Sequence, residues 1–229
     1  MISEKLMKPA QYAEYQLLTA ILQGEFTPGT ELPGERKLAE QIGVTRPTLR
    51  ETLQKMAREG WLTIRHGKPT MVRDYLNEGG MGVMATMARY GEELPKQFIE
   101  YFLNFRGVII PAVARMTMGN KPQVLEDYLK MYPTIEETAQ AYTNYDWELQ
   151  LLMASQSGNF FFRNILNDFD FIYRNMATDY FEIDEARLSS RNYYKELLFL
   201  VANRDEEGVE KLVSKVMDMA LELWRSLSN

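Results

Sequence analysis

Residues 36–50 read RKLAEQIGVTRPTLR and place two short apolar patterns on either side of a glycine. Leu38 and Ile42 lie four residues apart, a spacing that predicts a short helix ending at Gly43. A second helix is predicted over residues 45–58, where apolar side chains recur every three or four positions. The stretch therefore predicts two consecutive helices joined by a tight turn.

A further helix is predicted before this pair, and a hairpin after it. Residues 9–22 carry apolar side chains at three- and four-residue spacing, and Gly24 ends that pattern. Residues 61–65 alternate like a strand, residues 66–69 form a glycine-containing turn, and residues 70–73 return as a second strand. Three helices followed by a two-stranded hairpin are the order of a winged helix-turn-helix domain.

The rest of the chain has a helical pattern throughout. A Gly-Gly-Met-Gly run interrupts the periodicity, so residues 76–82 are predicted to be a linker. The predicted fold is therefore mainly α, with a winged helix domain over residues 1–75 and an all-helical bundle over residues 83–229. Seven helices are predicted in the bundle, near residues 83–91, 95–117, 121–131, 134–156, 160–181, 184–203 and 206–227.

Charge is divided unevenly between the two parts. The 229 residues carry a net charge of −6, yet residues 1–73 hold 11 Lys and Arg against 8 Asp and Glu, a net of +3. Residues 74–229 hold 15 Lys and Arg against 24 Asp and Glu, a net of −9. A basic first domain on an acidic second one is expected when only the first domain contacts nucleic acid phosphates.

Composition argues against several classes of protein. The chain has no Cys, which removes disulfides and thiolate chemistry. No apolar run approaches the roughly 18 residues of a membrane span, so no membrane partner is expected. The first residues lack the pattern of a signal peptide, and a cytoplasmic protein is expected.

The start of the second predicted helix carries candidates for DNA contact. Thr45 can cap the helix, Pro47 sits in the first turn where a missing N–H costs nothing, and Thr48 adds a hydroxyl. Arg46 and Arg50 can meet guanine edges or phosphates, and the sequence leaves open which. On this stretch alone, solvated charges on an ordinary helical domain are the alternative interpretation.

The predicted hairpin favours DNA contact over that alternative. Its tip, residues 65–68, reads Arg-His-Gly-Lys and has the size of a wing that can enter a minor groove. His66 is the only His of the chain, and a residue at such a tip is not part of a core. We therefore interpret residues 1–75 as a DNA-binding domain.

Residues 33–40, 46–53 and 60–62 resemble the GntR family of bacterial regulators, and residues 43–70 are most similar to its FadR subfamily. The resemblance implies a transcription regulator of fatty acid metabolism that binds double-stranded operator DNA. The residues it implies in operator contact are Arg36, Thr45, Arg46, Thr48 and Arg50, with His66 and Gly67 in the minor groove. Members of the subfamily usually have Thr at the position of Pro47, so this chain lacks one hydroxyl at the same contact position.

The second domain resembles the FadR effector domain more loosely. Many relatives bind a metal ion there through one Asp and three His. Asp146 matches the Asp, but the His positions hold Gln150, Tyr194 and Val216, so no metal is expected. The FadR subfamily binds long-chain acyl-coenzyme A instead, and the positions that match its ligand pocket are Arg106, Tyr173, Tyr180 and Trp224.

Two residues bear directly on this implied effector. Arg106 lies in an otherwise apolar helix, so either an anionic ligand group or an intramolecular carboxylate such as Asp170 or Glu222 is expected to pair with it. Met217 replaces a Gly of the subfamily's pocket and narrows the site. A GntR regulator that responds to a different small metabolite is therefore the main alternative.

No catalytic site is predicted. With no Cys, and with His66 on the wing, neither a Cys–His nor a Ser–His pair is available, and no GxxxxGK[ST] loop is present. We therefore expect a regulator without a cofactor rather than an enzyme. It is expected to bind a pseudo-palindromic operator as a homodimer, as repressor or activator, and to leave it when effector binds the second domain.

Overall fold

A computed structural model of the chain describes residues 7–90 and 96–228, and divides the chain into two compact units, Met1–Pro95 and Lys96–Asn229. The elements of the first unit are helices α1 (Pro9–Leu22), α2 (Glu35–Ile42) and α3 (Arg46–Glu59), strands β1 (Leu62–Thr63) and β2 (Met71–Val72), and helices α4 (Tyr75–Glu78) and α5 (Met81–Arg89).

Helices α2 and α3 form the helix-turn-helix predicted from the sequence. Gly43 ends α2 with φ +81°, and Gly60 ends α3 with φ +99°, a left-handed conformation that a residue with a side chain adopts only with strain. Helix α3 packs against both α1 and α2 around one apolar core, whose buried residues include Ala13, Leu17, Leu18, Ile21, Leu38, Leu49, Leu53, Met56 and Trp61.

The hairpin after α3 is an antiparallel two-stranded sheet. Leu62 of β1 pairs with Val72 of β2. The segment before α2 runs along the other side of β2, where Gly29 N–H donates to the Val72 carbonyl and Leu32 N–H to the Thr70 carbonyl, both at 2.8 Å. The predicted order of three helices and a wing is confirmed.

The predicted linker is mostly helical, and the division of the chain lies further along. Residues 76–82 fall largely within α4 and α5, and α5 packs on the end of α3. A Cβ at Gly82 would lie 2.8 Å from the Glu59 carbonyl oxygen, and Thr86 Oγ1 donates to the Glu59 carboxylate at 3.0 Å. Because of this packing, the structure places α5 in the first unit, whereas the sequence placed it in the second.

Every regular element among the described residues of the second unit is a helix, as predicted. Its helices are α6 (Lys96–Asn120), α7 (Pro122–Leu129), α8 (Ala139–Gln156), α9 (Phe160–Asn167), α10 (Asp170–Phe181), α11 (Asp184–Ala202) and α12 (Glu206–Ser228). The single helix predicted over residues 160–181 is wrong, since it is divided between α9 and α10. The helix predicted from residue 134 begins at Ala139, after Thr138 has capped it by accepting from Ala141 N–H at 3.2 Å.

Helix α6 packs along α12 and against α8, and α8 also packs against α10. The largest side chains buried in this unit are Trp147, Tyr142, Tyr194 and Phe181, so its core is strongly aromatic. Among the described residues, no helix is both long and apolar enough to span a membrane.

Candidate functional site

The start of α3 is capped by its own hydroxyls. Thr45 Oγ1 accepts from Thr48 N–H at 3.3 Å and lies 2.8 Å from Thr48 Oγ1, while Leu49 N–H donates to the Thr45 carbonyl. Pro47 has no N–H to donate. The first turn therefore offers a phosphate at most one backbone N–H, that of Arg46, and anion binding at this helix end depends on side chains.

Arg46 and Arg50 meet at one carboxylate, that of Glu35. Arg50 donates to it from Nη2 at 2.8 Å and from Nε at 3.3 Å, and Arg46 donates from Nε at 3.2 Å. The hydrogen bond from Arg50 is the largest contribution that holds the pKa of the Glu35 carboxyl below its ordinary value. Both arginine side chains remain more than half exposed, at 61% and 55%. The first residue of α2 thus orients two candidate DNA contacts of α3 and leaves them accessible.

The other candidates of the first unit are also accessible. Arg36 is exposed at the second position of α2. His66 and Gly67 are exposed at the wing tip, where Gly67 has φ +70° and Lys68 N–H donates to the Arg65 carbonyl at 3.1 Å. These positions are consistent with DNA contact, which stays a prediction for each residue.

A buried ion pair anchors the other half of α3. Glu14 of α1 is 2% exposed and accepts from Lys55 Nζ at 2.7 and 2.5 Å. Glu59 accepts from Arg89 Nη2 at 2.9 Å, and the same Arg89 atom lies 3.8 Å from Glu14. Charged hydrogen bonds therefore tie α1, α3 and α5 together.

In the second unit, Asp146 is the centre of a polar cluster. Its carboxylate accepts from the Tyr173 hydroxyl, from Gln150 Nε2 at 2.8 Å and from the Tyr194 hydroxyl at 2.8 Å. Burial first, and then the charge of Asp146, raise the pKa of Tyr173 and of Tyr194 well above the ordinary value, so both remain hydroxyl donors. Gln150 and Tyr194, which occupy two of the three His positions of the metal-binding pattern, thus donate hydrogen bonds to Asp146, which occupies its Asp position. The described residues contain no group of three or more His, Cys, Asp or Glu that could hold a metal ion.

Arg106 joins this cluster through Gln150. The residue is 4% exposed, and its Nε donates to Gln150 Oε1 at 3.1 Å. The guanidinium lies over the ring of Tyr173 at 4.7 Å and over that of Phe102 at 5.8 Å. The sequence-based expectation of Asp170 or Glu222 as intramolecular partner is wrong, because the partner is the neutral amide of Gln150.

Asp170 has hydrogen-bond partners other than Arg106. Its Oδ1 accepts from Trp147 Nε1 at 2.6 Å and from Arg174 Nε at 2.8 Å. Among the described residues, Arg106 forms no ion pair within 4.0 Å with any carboxylate. The carboxylate of Asp146 is joined to Arg106 only through Gln150, and a buried cation without a direct ion pair is costly, which marks Arg106 as a candidate for binding an anion.

The remaining candidates for effector contact are on α10 and α12. Tyr180 is half-buried beside Phe181, with ring centroids 5.0 Å apart, and burial raises the pKa of its hydroxyl. Trp224 is half-buried on α12. The structure brings Arg106 and Tyr173 together, whereas none of the hydrogen bonds or ring contacts of the described residues joins Tyr180 or Trp224 to them. Met217 is 5% exposed and packs on α6, where a Cβ at Gly107 would lie 3.9 Å from its own Cβ.

Comparison with known proteins gives the family. Residues 9–72 match the model of the bacterial regulatory proteins of the gntR family, and residues 73–229 match that of the FadR C-terminal domain. The chain belongs to the FadR group of GntR-family regulators. It is therefore a DNA-binding winged helix-turn-helix transcription regulator.

Curated relatives cover nearly the whole FadR-type chain. A protein of Shewanella pealeana named fatty acid metabolism regulator protein is 36% identical over 219 residues, which are 96% of this chain and 92% of the relative. A protein of the same name from Erwinia tasmaniensis is 34% identical over 97% of this chain and 94% of its own. The solved structure of Lar from Listeria monocytogenes has a TM-score of 0.64 at 14% identity, over 97% of this chain and 99% of its own, which shows a shared fold.

Two residues of this FadR-type regulator were missed from the sequence. The sequence does not distinguish Glu35, because an acidic residue in the first turn of a helix is ordinary and its separation of 11 residues from Arg46 hides the contact. Gln150 was noted only as a lost metal ligand. Its role depends on α6, α8 and α10 meeting, which no local pattern shows.

Proposed function

We propose that this FadR-type regulator controls genes of fatty acid metabolism as a homodimer that long-chain acyl-coenzyme A releases from its operator. The similarity of 34–36% over nearly the whole chain to relatives named fatty acid metabolism regulator protein supports the metabolic role. The observation that carries the effector is Arg106, a buried guanidinium in the aromatic core of the second unit that pairs directly with no carboxylate of the described residues. An anionic group of the effector would give Arg106 a direct ion pair, which it lacks among the described residues.

Two copies of the chain would read a pseudo-palindromic site, since a two-fold dimer imposes its symmetry on the DNA that it binds. Effector would then favour a dimer whose two DNA-binding units fit the operator poorly. Because its target is chromosomal DNA, the place of action is the cytoplasm. The sign of regulation would be set by where the operator lies in each promoter.

Fluorescence anisotropy tests both halves of this proposal. The operator is first selected by the protein from a random duplex library, and its affinity is compared with that of a scrambled duplex at physiological salt. We expect a preference of at least about 10³-fold for the selected duplex. Equal affinities would refute sequence-specific regulation.

Octanoyl-, palmitoyl- and oleoyl-coenzyme A are then titrated into the complex. Release by the long-chain species supports the effector, and free coenzyme A controls for its phosphates. A complex that no acyl-coenzyme A releases would leave operator recognition intact and reject the effector.

One observation favours a second candidate effector. Met217 is buried and occupies space against α6, at a position where the resemblance to the FadR subfamily implies a Gly of the ligand pocket. A shorter or differently shaped anionic metabolite would fit such a site. Release by octanoyl-coenzyme A, or by a short carboxylate, in preference to oleoyl-coenzyme A would support this candidate.

A further inference from the structure

Arg106 is oriented by a neutral partner. Its Nε donates to Gln150 Oε1 at 3.1 Å, and among residues 7–90 and 96–228 neither Nη nitrogen makes a hydrogen bond or an ion pair. A carboxylate in the place of Gln150 would fix the guanidinium equally well, but it would also cancel its charge. The neutral amide of Gln150 orients the guanidinium of Arg106 without neutralising its positive charge.

The orientation of the Gln150 amide is itself fixed. Asp146 is an acceptor on one side and Arg106 is a donor on the other, so the amide nitrogen has to face Asp146 and the amide oxygen Arg106. Gln150 Nε2 also donates to the Tyr173 hydroxyl at 3.2 Å, and that hydroxyl donates in turn to Asp146. A flipped amide would place its oxygen against the Asp146 carboxylate and its NH₂ group against the Nε–H of Arg106.

The charged carboxylate of Asp146 accepts hydrogen bonds from neutral donors. Tyr173, Tyr194 and Gln150 together supply three hydrogen bonds to its two oxygens. Hydrogen bonds to a charged acceptor are stronger than those between neutral groups, so the cluster is rigid. Asp146 thus fixes the side chain of Gln150, and Gln150 fixes that of Arg106. The two charged residues, Asp146 and Arg106, form no ion pair with each other.

We propose that Gln150 is a positioning residue of the effector site, which holds Arg106 by Nε so that both Nη nitrogens face an anionic group of the effector. This inference rests on the effector half of the proposed function. It concerns a residue that acts through Arg106 and needs no contact of its own with the ligand. The expected dependence of effector binding on Gln150 is therefore conditional on the side chain at position 106.

A double-mutant cycle tests this dependence, with oleoyl-coenzyme A as the probe and calorimetry of the full chain as the readout. Gln150→Met keeps the side-chain length and removes the hydrogen bonds of the amide to Arg106, Asp146 and Tyr173, and we expect it to weaken binding roughly tenfold. Arg106→Lys keeps the charge but has no Nε–H fork for Gln150 to hold. In the Arg106→Lys background, Gln150→Met is expected to change the affinity by less than about twofold.

Gln140→Met is the matched control, because Gln140 is exposed on the same helix and its side chain donates to Asn144 alone among the residues that the structure describes. It is expected to bind oleoyl-coenzyme A like the unchanged chain. The ¹⁵N NMR signal of Arg106 Nε–H in the ligand-free protein gives a second readout, protected from exchange in the unchanged chain and in Gln140→Met, and unprotected in Gln150→Met.

The outcomes separate the two proposals. If Gln150→Met weakens binding by the same factor in both backgrounds, its role is general to the fold and the positioning role is rejected. If it leaves the affinity unchanged, the positioning role is rejected while the effector stands. If the unchanged chain binds no acyl-coenzyme A, the effector is rejected, and with it the assignment of Gln150 to that site.

Discussion

Glu35 holds Arg50 through two hydrogen bonds, from Nη2 at 2.8 Å and from Nε at 3.3 Å, so the first residue of α2 fixes an arginine of α3. Arg46 donates to the same carboxylate. Two arginines at the start of a helix that offers few free N–H groups are thereby directed from one point. The orientation of Arg46 and Arg50 before DNA binds is therefore set by Glu35, an acidic residue whose own charge is unfavourable to DNA binding.

Glu35→Gln is expected to bind scrambled duplex more tightly and to lose operator preference. The substitution removes a negative charge near the phosphates and releases both arginines from a shared orientation. We expect the ratio of operator to scrambled affinity to fall about tenfold, the scale of one well-made base contact. Anisotropy titrations on both duplexes at two salt concentrations measure this ratio.

Glu40→Gln is the control for charge alone. Glu40 is exposed on α2 and forms no ion pair among the described residues. It should raise the affinity for both duplexes by a similar small factor and leave their ratio unchanged. An equal loss of preference in both variants would mean that Glu35 acts by its charge and not by orienting the arginines.

The order of elements in the first unit was predictable because each signal is local. Gly43 and Gly60 end helices at positions of positive φ, which favour glycine. The alternation of residues after Trp61 predicts the hairpin. Local signals failed where packing decides. The glycine run that predicted a linker is there because Gly82 lies against the Glu59 carbonyl, a contact between residues far apart in the chain.

The candidate effector site was predictable in its residue types and not in its connections. The apolar surroundings of Arg106 showed from the sequence that it needs a partner. The choice of Gln150 over Asp170 depends on how α6, α8 and α10 meet, and on Trp147 and Arg174 having taken Asp170. Such competition among partners is a property of the folded core.

Lys55→Met is expected to destabilise the first unit by about 2 kcal/mol, because it leaves the buried carboxylate of Glu14 without its closest cation. Arg89, at 3.8 Å from Glu14, replaces only part of that interaction. Differential scanning calorimetry of the full chain measures the loss. Arg58→Met is the matched control, since Arg58 is exposed on the same helix, and it should stay within about 0.5 kcal/mol of the unchanged chain. Equal losses in both variants would show that Glu14 does not depend on Lys55.

Tyr194→Phe is expected to destabilise the second unit by about 2 kcal/mol, since it removes a buried hydroxyl that donates to the Asp146 carboxylate at 2.8 Å. Tyr145→Phe removes a hydroxyl whose contact with the Tyr128 carbonyl is 3.4 Å long, and about 0.5 kcal/mol is expected there. Urea unfolding followed by circular dichroism compares the two. A smaller loss for Tyr194→Phe than for Tyr145→Phe would contradict the central place of Asp146 in the cluster.

Met217→Ala is expected to shift effector preference toward longer acyl chains. Met217 is buried on α12 against Gly107 of α6, so its truncation opens space in the interior of the second unit. Each further methylene buried there contributes about 0.8 kcal/mol, so two would raise affinity roughly tenfold. The same truncation should cost about 2 to 3 kcal/mol of stability, because it leaves a cavity in the ligand-free protein. Calorimetry with octanoyl-, palmitoyl- and oleoyl-coenzyme A measures the preference.

Met219→Ala is the control for that shift, because Met219 is 48% exposed on the same helix and its truncation opens no interior space. It should keep both the stability and the chain-length preference of the unchanged protein. A Met217→Ala variant that weakens all three ligands by one common factor would show that Met217 supports the fold without limiting the effector. A gain confined to the longer chains would instead identify Met217 as the residue that sets the length of acyl chain the site accepts.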